Sequence, residues 1–126
     1  MPRQTIVVLD DDPDLCQFFS TTLESIGFTV ITASNSEHVV ELVAHHRAIL
    51  LITDLVMPDH EGMEGIFSVL RTFRIPIIAV SSYRDYLKVV EPIAHAVLVK
   101  PIQAQTLIDT VKRVLGISPS ASPQLN

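Results

Sequence analysis

Hydrophobic and polar positions along this chain form a repeating pattern of two kinds of segment. Short runs rich in Val, Ile and Leu alternate with longer stretches in which apolar residues recur at helical spacing. The runs predict strands that are buried on both faces, and the stretches predict amphipathic helices. The predicted strands are residues 6–9, 28–32, 48–53, 76–80 and 96–99. The apolar positions of the predicted helices lie within residues 15–26, 39–43, 63–73, 87–90 and 107–115.

Capping residues suggest where the first two helices begin and end. Pro13 suits the first turn of a helix, and Asp12 before it is a suitable N-cap. Gly27 is expected to end that helix. For the second helix, either Asn35 or Ser36 is the predicted N-cap.

The alternation of strand and helix, repeated five times, predicts an α/β fold with a parallel sheet covered by helices on both faces. A length of 126 residues fits one domain. We expect this domain to span residues 1–116, with Gly116 ending the last helix. Residues 117–126 are rich in Ser and Pro, which is typical of a flexible tail or the start of a linker.

Composition argues against several classes of function. Nine basic residues against 14 acidic ones give a net charge of −5, which argues against a nucleic-acid-binding surface. No apolar run approaches the ~20 residues needed to span a membrane. The single cysteine, Cys16, excludes an intramolecular disulfide and is interpreted as structural. We therefore expect a cytoplasmic protein with no secretory signal.

Polar side chains follow four of the five predicted strands. Asp10 and Asp11 come after the first strand, Asp54 after the third, Ser81 after the fourth and Lys100 after the fifth. In an open parallel sheet, ligands bind outside the carboxyl ends of the strands. We therefore expect these five side chains to meet in one cleft.

Three carboxylates in one cleft need compensating charge. Two unit charges ~4 Å apart repel by about 4 kcal/mol at an effective dielectric constant of ~20. Lys100 would supply one positive charge, and Mg²⁺, which prefers oxygen ligands, would supply two more. With Asp10 and Asp11 on the metal, Asp54 is available as a nucleophile that forms an acyl phosphate. The Ser81 hydroxyl and the Lys100 ammonium would bind the phosphoryl oxygens.

These motifs, taken in order, resemble the receiver domain of response regulators in two-component signalling. The resemblance covers residues 5 to about 116 and rests on Asp10-Asp11-Asp12-Pro13, Asp54 with Met57-Pro58 and Gly62, Ser81-Ser82, and Lys100-Pro101. Each motif alone is common, but their order at the ends of successive strands is specific. The resemblance implies a flavodoxin-like fold of five βα units with strand order 2-1-3-4-5.

The resemblance also implies a role for each site residue. Asp54 would be the phosphoryl acceptor and, with Asp10, Asp11 and the backbone carbonyl of Val56, would hold Mg²⁺. Ser81 and Lys100 would contact the phosphoryl group, and the peptide bond that follows Lys100 would be cis.

Partners also follow from the resemblance. A sensor histidine kinase or phosphotransfer protein would be the donor. The signal would pass to a downstream protein or to an output domain. The resemblance is also compatible with a homodimer. As a signalling domain, the protein would not be an enzyme beyond its own phosphorylation and dephosphorylation.

One departure from the receiver pattern suggests an alternative function. Receivers often carry Tyr or Phe three residues before the lysine, where this chain has Val97. A degenerate receiver that binds partners without phosphorylation is therefore one alternative. A Mg²⁺-dependent phosphohydrolase is another, although it would need a general acid where this chain has Val56. Tyr83, two residues after Ser81, either tunes the lifetime of the phosphoryl group or simply packs.

Overall fold

Five parallel strands form one sheet in the order β2-β1-β3-β4-β5. The structure is a computed structural model that describes residues 3–55 and 62–117, without the side chains of residues 62–65. The strands are β1 (Thr5–Leu9), β2 (Thr29–Ala33), β3 (Leu50–Asp54), β4 (Ile77–Ser81) and β5 (Ala96–Val99). The predicted fold class and strand order are confirmed.

One helix follows each strand. The helices are α1 (Pro13–Glu24), α2 (Val39–His46), α3 (Gly62–Thr72), α4 (Arg84–Val90) and α5 (Ala104–Val114). The fifth helix begins three residues before Leu107, the first residue of its predicted apolar pattern. Its first turn is exposed, and apolar spacing reports only the buried positions of a helix. Among the residues that the structure describes, no helix is long and apolar enough to cross a bilayer.

Alternate residues of the central strands face two separate hydrophobic cores, because side chains alternate across a sheet. On one face, Ile6, Val8 and Ile52 pack with side chains of α1 and α5 such as Phe19 and Leu107. On the other face, apolar side chains of β1, β3 and β4 pack with α2, α3 and α4. Both faces of β1, β3 and β4 are therefore dry, which explains their continuous apolar sequences.

The N-terminus of α1 was predicted correctly, whereas that of α2 was not. The Asp12 side chain accepts hydrogen bonds from the amides of Asp14 and Leu15 at the start of α1. The residue that precedes α2 is His38, which makes no capping hydrogen bond with its side chain. Asn35 instead accepts a hydrogen bond from the Glu37 amide at 2.9 Å. This local turn competes with the capping role that its residue type also favours.

Glycine permits the turn that leads from α1 into β2. Gly27 has a φ of +102°, a conformation that residues with a Cβ rarely adopt. Of the predicted tail, residues 117–126, all but Ile117 lie outside the described part of the chain. The boundary at residue 116 therefore stays a prediction.

Candidate acidic site at the carboxyl edge of the sheet

The sheet brings the predicted site residues to one edge. Asp10 directly follows β1, Asp54 and Ser81 are the last residues of β3 and β4, and Lys100 directly follows β5. The strand register pairs Asp54 with Val80 on β4. Since all the strands run in the same direction, their carboxyl ends meet at this edge.

Lys100 bridges two buried carboxylates. Its Nζ lies 3.1 Å from Oδ2 of Asp10 and 3.0 Å from Oδ2 of Asp54. The Asp10 side chain is 1 % exposed and that of Lys100 is 19 % exposed. This arrangement places one positive charge between two negative ones in a largely dry environment, where electrostatic interactions are strong.

Burial and charge act in opposite directions at this site. Burial raises the pKa of Asp10, although the hydrogen bond from the Asp12 amide and the charge of Lys100 lower it. Burial lowers the pKa of Lys100, but the hydrogen bond to Asp54 and the charges of Asp10 and Asp54 outweigh this effect and raise it. Lys100 is therefore held as an ammonium, while the Asp10 carboxylate would gain from a further cation.

The two oxygens of Asp10 have different environments. Oδ1 accepts a hydrogen bond from the Asp12 amide at 2.9 Å. Oδ2 forms an ion pair with the Lys100 ammonium at 3.1 Å and has no further polar partner in the described ranges. The Cys16 thiol donates to the backbone carbonyl of Asp10 at 3.2 Å, which fits the structural role predicted for it. A buried carboxylate oxygen that has one ammonium as its partner retains lone pairs that can bind a metal cation.

Three carboxylates lie close enough to share a metal ion. One oxygen each from Asp10, Asp11 and Asp54 lies within 4.8 Å of the others. Opposite ligands of Mg²⁺ are about 4.2 Å apart, twice the bond length of about 2.1 Å, so a small contraction would suffice. Asp11 is exposed and can move to allow it. The donor set, all oxygen, fits Mg²⁺. Val56, the fourth predicted ligand, lies outside the described residues.

The Ser81 hydroxyl faces the loop that follows β4. Ser81 is fully buried, and its Oγ accepts a hydrogen bond from the Tyr83 amide at 3.0 Å. The backbone of Ser81 is fixed on the other side, since its carbonyl accepts from the Lys100 amide at 2.9 Å. The peptide bond between Lys100 and Pro101 is cis, as the resemblance implied.

Two clefts flank the acidic cluster. One has a volume of about 320 Å³ and is bordered by Asp10, Asp11, Cys16 and the end of β2. The other has a volume of about 490 Å³. Its walls are mostly apolar and combine α1 with the segment after β5; they include Lys100, Leu15, Phe18, Pro101 and Ile102. The second cleft thus leads along an apolar surface to the ammonium that contacts Asp54.

Two backbone donors at the site were not predicted from the sequence. The amides of Asp12 and Tyr83 each bind the side chain two residues earlier, Asp10 and Ser81 respectively. Asp and Ser commonly accept such bonds from residue i+2. The position of Asp10 and Ser81 at the ends of strands was the feature of the sequence that could have predicted these bonds.

Comparison with known proteins gives a consistent result. A model of the response regulator receiver domain matches residues 6–112. The polar-differentiation response regulator DivK of Brucella anthropi is 27% identical, and the match covers 92% of this chain and 98% of that protein. A crystal structure of a response regulator receiver protein from Burkholderia phymatum superimposes with a TM-score of 0.81 at 25% identity, covering 96% and 99% of the two chains.

Other relatives are longer than this chain. The transcriptional regulatory protein AfsQ1 of Streptomyces coelicolor is 28% identical over 88% of this chain, but the match covers only 51% of that protein. The chain spans about half the length of several of the curated relatives it matches.

Proposed function

Because this chain belongs to the response regulator receiver family, we propose that it is a Mg²⁺-dependent switch that accepts a phosphoryl group on Asp54. The observation that carries the proposal is the bridge formed by Lys100 between the buried carboxylates of Asp10 and Asp54. An ammonium in this position can contact the acceptor carboxylate and an arriving phosphoryl oxygen in turn. Phosphoryl transfer depends mainly on such positioning and charge compensation.

Asp54 would act as the nucleophile. A carboxylate oxygen of Asp54 forms a bond to phosphorus, and the bond from phosphorus to the donor imidazole nitrogen breaks. The electron pair of that bond stays on the imidazole, which takes up a proton. The product is an acyl phosphate on Asp54.

Asp10 and Asp11 would hold Mg²⁺ together with Asp54 and the carbonyl of Val56. When bound, the metal offsets negative charge on the carboxylates and on the phosphoryl oxygens. Asp10 is already oriented for this role by the hydrogen bond from the Asp12 amide. Ser81 and Lys100 would donate hydrogen bonds to the phosphoryl oxygens.

The donor would be a sensor histidine kinase or a phosphotransfer protein. The apolar cleft beside Lys100 offers such a protein a surface next to the acceptor carboxylate. Burial of its Leu15 and Phe18 walls would contribute to docking through the hydrophobic effect. A downstream protein or an attached output domain would receive the signal. A cytoplasmic location and a homodimer remain predictions of the same family relationship.

The two alternatives are not favoured. The bridged acidic cluster is intact, so the chain has the groups that a purely phosphorylation-independent module would not need. A phosphohydrolase of the aspartyl type would need a general acid two residues after Asp54, and valine cannot donate a proton.

Phosphorylation with a small donor tests the proposal. Wild-type protein incubated with acetyl phosphate and Mg²⁺ should gain the mass of one phosphoryl group, and chelation of Mg²⁺ should prevent the gain. Asp54→Asn should abolish it and keep the fold. Asp109→Asn, which changes an exposed carboxylate on α5, is the matched control and should behave as wild type. A mass gain that persists in Asp54→Asn would contradict Asp54 as the acceptor.

A further inference from the structure

The amino end of β5 is joined to β4 by a single residue, His95, which uses both its backbone and its side chain. The His95 amide donates to the carbonyl of Ile77 at 2.8 Å. In return, the Ile77 amide donates to Nδ1 of the His95 ring at 3.2 Å. The paired residues of the two strands begin one position later, at Ile78 and Ala96. The imidazole therefore extends the hydrogen-bonded ladder beyond the strand itself.

This side-chain bond satisfies a buried amide at a weakly held part of the sheet. Ile77 is fully buried, and a buried amide without a partner is costly. The strand that His95 precedes, β5, has 4 residues and lies at the edge of the sheet, so it pairs with β4 alone. The ring nitrogen is thus one of few groups that hold the start of β5 in place.

The bond requires the neutral form of the ring. A neutral imidazole has one donor and one acceptor nitrogen, whereas both nitrogens of an imidazolium are donors. With Nδ1 as the acceptor, the hydrogen of the neutral ring lies on Nε2. His95 is exposed, so protons from solvent can reach it. Protonation of Nδ1 would remove the acceptor of the Ile77 amide.

No carboxylate among the described residues compensates an imidazolium at this position. Histidine takes part in ion pairs only at His38 in the described ranges. Helices α4 and α5 pack on the two faces of β5. The charged residues at the ends of these helices and before β4 are mostly basic: Arg74, Lys88, Glu91, Lys112 and Arg113. Protonation therefore loses the Ile77 bond without gaining an ion pair.

We propose that His95 is an acid-sensitive switch. The neutral ring closes the amino end of the β4–β5 ladder. The protonated ring releases the Ile77 amide, and the start of β5 and the preceding residues 91–95 loosen. This switch lies at the end of the sheet opposite the acidic site. It needs neither Mg²⁺ nor a phosphoryl group, so it does not depend on the function proposed for Asp54.

NMR of the unmodified chain tests the proposal directly. Histidine side chains commonly change charge between about pH 5 and about pH 8, so spectra are recorded across this range. At the upper end, long-range ¹H–¹⁵N spectra should show the His95 hydrogen on Nε2. As the ring takes up a proton, the Ile77 amide proton should shift upfield with the same midpoint. A hydrogen on Nδ1 of the neutral ring, or an Ile77 amide that ignores the titration, would overturn the proposal.

Two variants at position 95 separate the acceptor from the titration. His95→Asn places an amide oxygen near the position of Nδ1 and does not titrate, whereas His95→Ala has no acceptor at any pH. At about pH 5, hydrogen exchange of the Ile77 amide should be roughly fivefold faster in wild type than in His95→Asn, which corresponds to one lost hydrogen bond. His95→Ala should show the faster exchange at both ends of the range.

Urea unfolding of the same proteins gives the sign of the effect. The unfolded chain takes up the proton without losing a bond, so wild type should lose stability relative to His95→Asn as the pH falls. His45→Asn removes an exposed imidazole in the last turn of α2 and should keep the pH dependence of wild type. A stability difference between wild type and His95→Asn that stays constant with pH would overturn the proposal.

Discussion

The ammonium of Lys100 lies 3.0 Å from Oδ2 of Asp54, although 46 positions separate the two residues in the chain. Nothing local in the sequence relates them. They meet because β3 and β5 end at the same edge of one sheet, with β4 between them. The contact therefore depends on the topology of the whole sheet. It locates the site more specifically than any single sequence motif does.

Loss of the Lys100 ammonium should destabilise the protein at neutral pH. Lys100→Ala would leave the buried carboxylates of Asp10 and Asp54 without their shared cation, and breaking a buried pair in this way costs about 3 kcal/mol. Mg²⁺, the metal proposed for this cluster, should restore part of the loss, because a ligand that binds only the folded state stabilises it. Urea unfolding with and without Mg²⁺ measures both effects.

The control for this variant is Lys88→Ala, which removes an exposed ammonium from α4. Its free energy of unfolding should remain close to that of wild type. Equal stabilities of the two variants would mean that Lys100 does not compensate the acidic cluster.

Asp10→Asn should raise stability at neutral pH and weaken the binding of Mg²⁺. Burial raises the pKa of Asp10 in the folded state, so the folded protein holds this proton to a higher pH than the unfolded chain. The resulting contribution to stability is full below the unfolded pKa and is lost as pH rises through the folded pKa. Melting temperatures of wild type and Asp10→Asn, compared from about pH 7 to about pH 4, test the sign.

The stability of the wild type relative to that of Asp10→Asn should increase as the pH falls through this window, because the variant lacks the titrating group. If instead the stability of wild type falls relative to the variant on acidification, the folded pKa of Asp10 is lowered and not raised.

The two adjacent phenylalanines of α1 should differ in their contribution to stability. Phe19 is 1 % exposed and lies in the core between the sheet, α1 and α5, so Phe19→Ala should cost ~3–5 kcal/mol. Phe18 is only partly buried at the edge of the same core, and Phe18→Ala should cost less. Urea unfolding of the two variants measures the difference, and equal losses would contradict this packing.

Glu41 should control the titration of His38. The side-chain hydrogen bond to Glu41, with Nδ1 and Oε2 2.9 Å apart, and the charge of Glu37 raise the pKa of His38. Glu41→Gln should lower that pKa, which NMR of the imidazole protons measures directly. Glu24→Gln, an exposed change on α1, should have no effect. An unchanged His38 pKa in Glu41→Gln would show that the hydrogen bond does not form in solution.

The ends of the fifth strand were predicted correctly, whereas those of the third strand were not, for a physical reason. The fifth strand was predicted as residues 96–99 and is Ala96–Val99, since a charged residue and proline follow it directly. The third strand was predicted as 48–53 but is Leu50–Asp54. Before that strand, Ala48 is buried and Ile49 is partly buried, so hydrophobicity alone does not show where the hydrogen-bonded ladder begins.

The sequence by itself determined the fold class, the identity of the acidic, hydroxyl and ammonium groups, and the edge of the sheet at which they lie. It could do so because strand period, capping residues and the position of polar residues after buried runs are local properties. Only the tertiary structure decided which oxygen each group contacts. The Lys100 bridge and the bond between Ser81 and the Tyr83 amide depend on strand register and loop geometry, which arise from the packing of the whole chain.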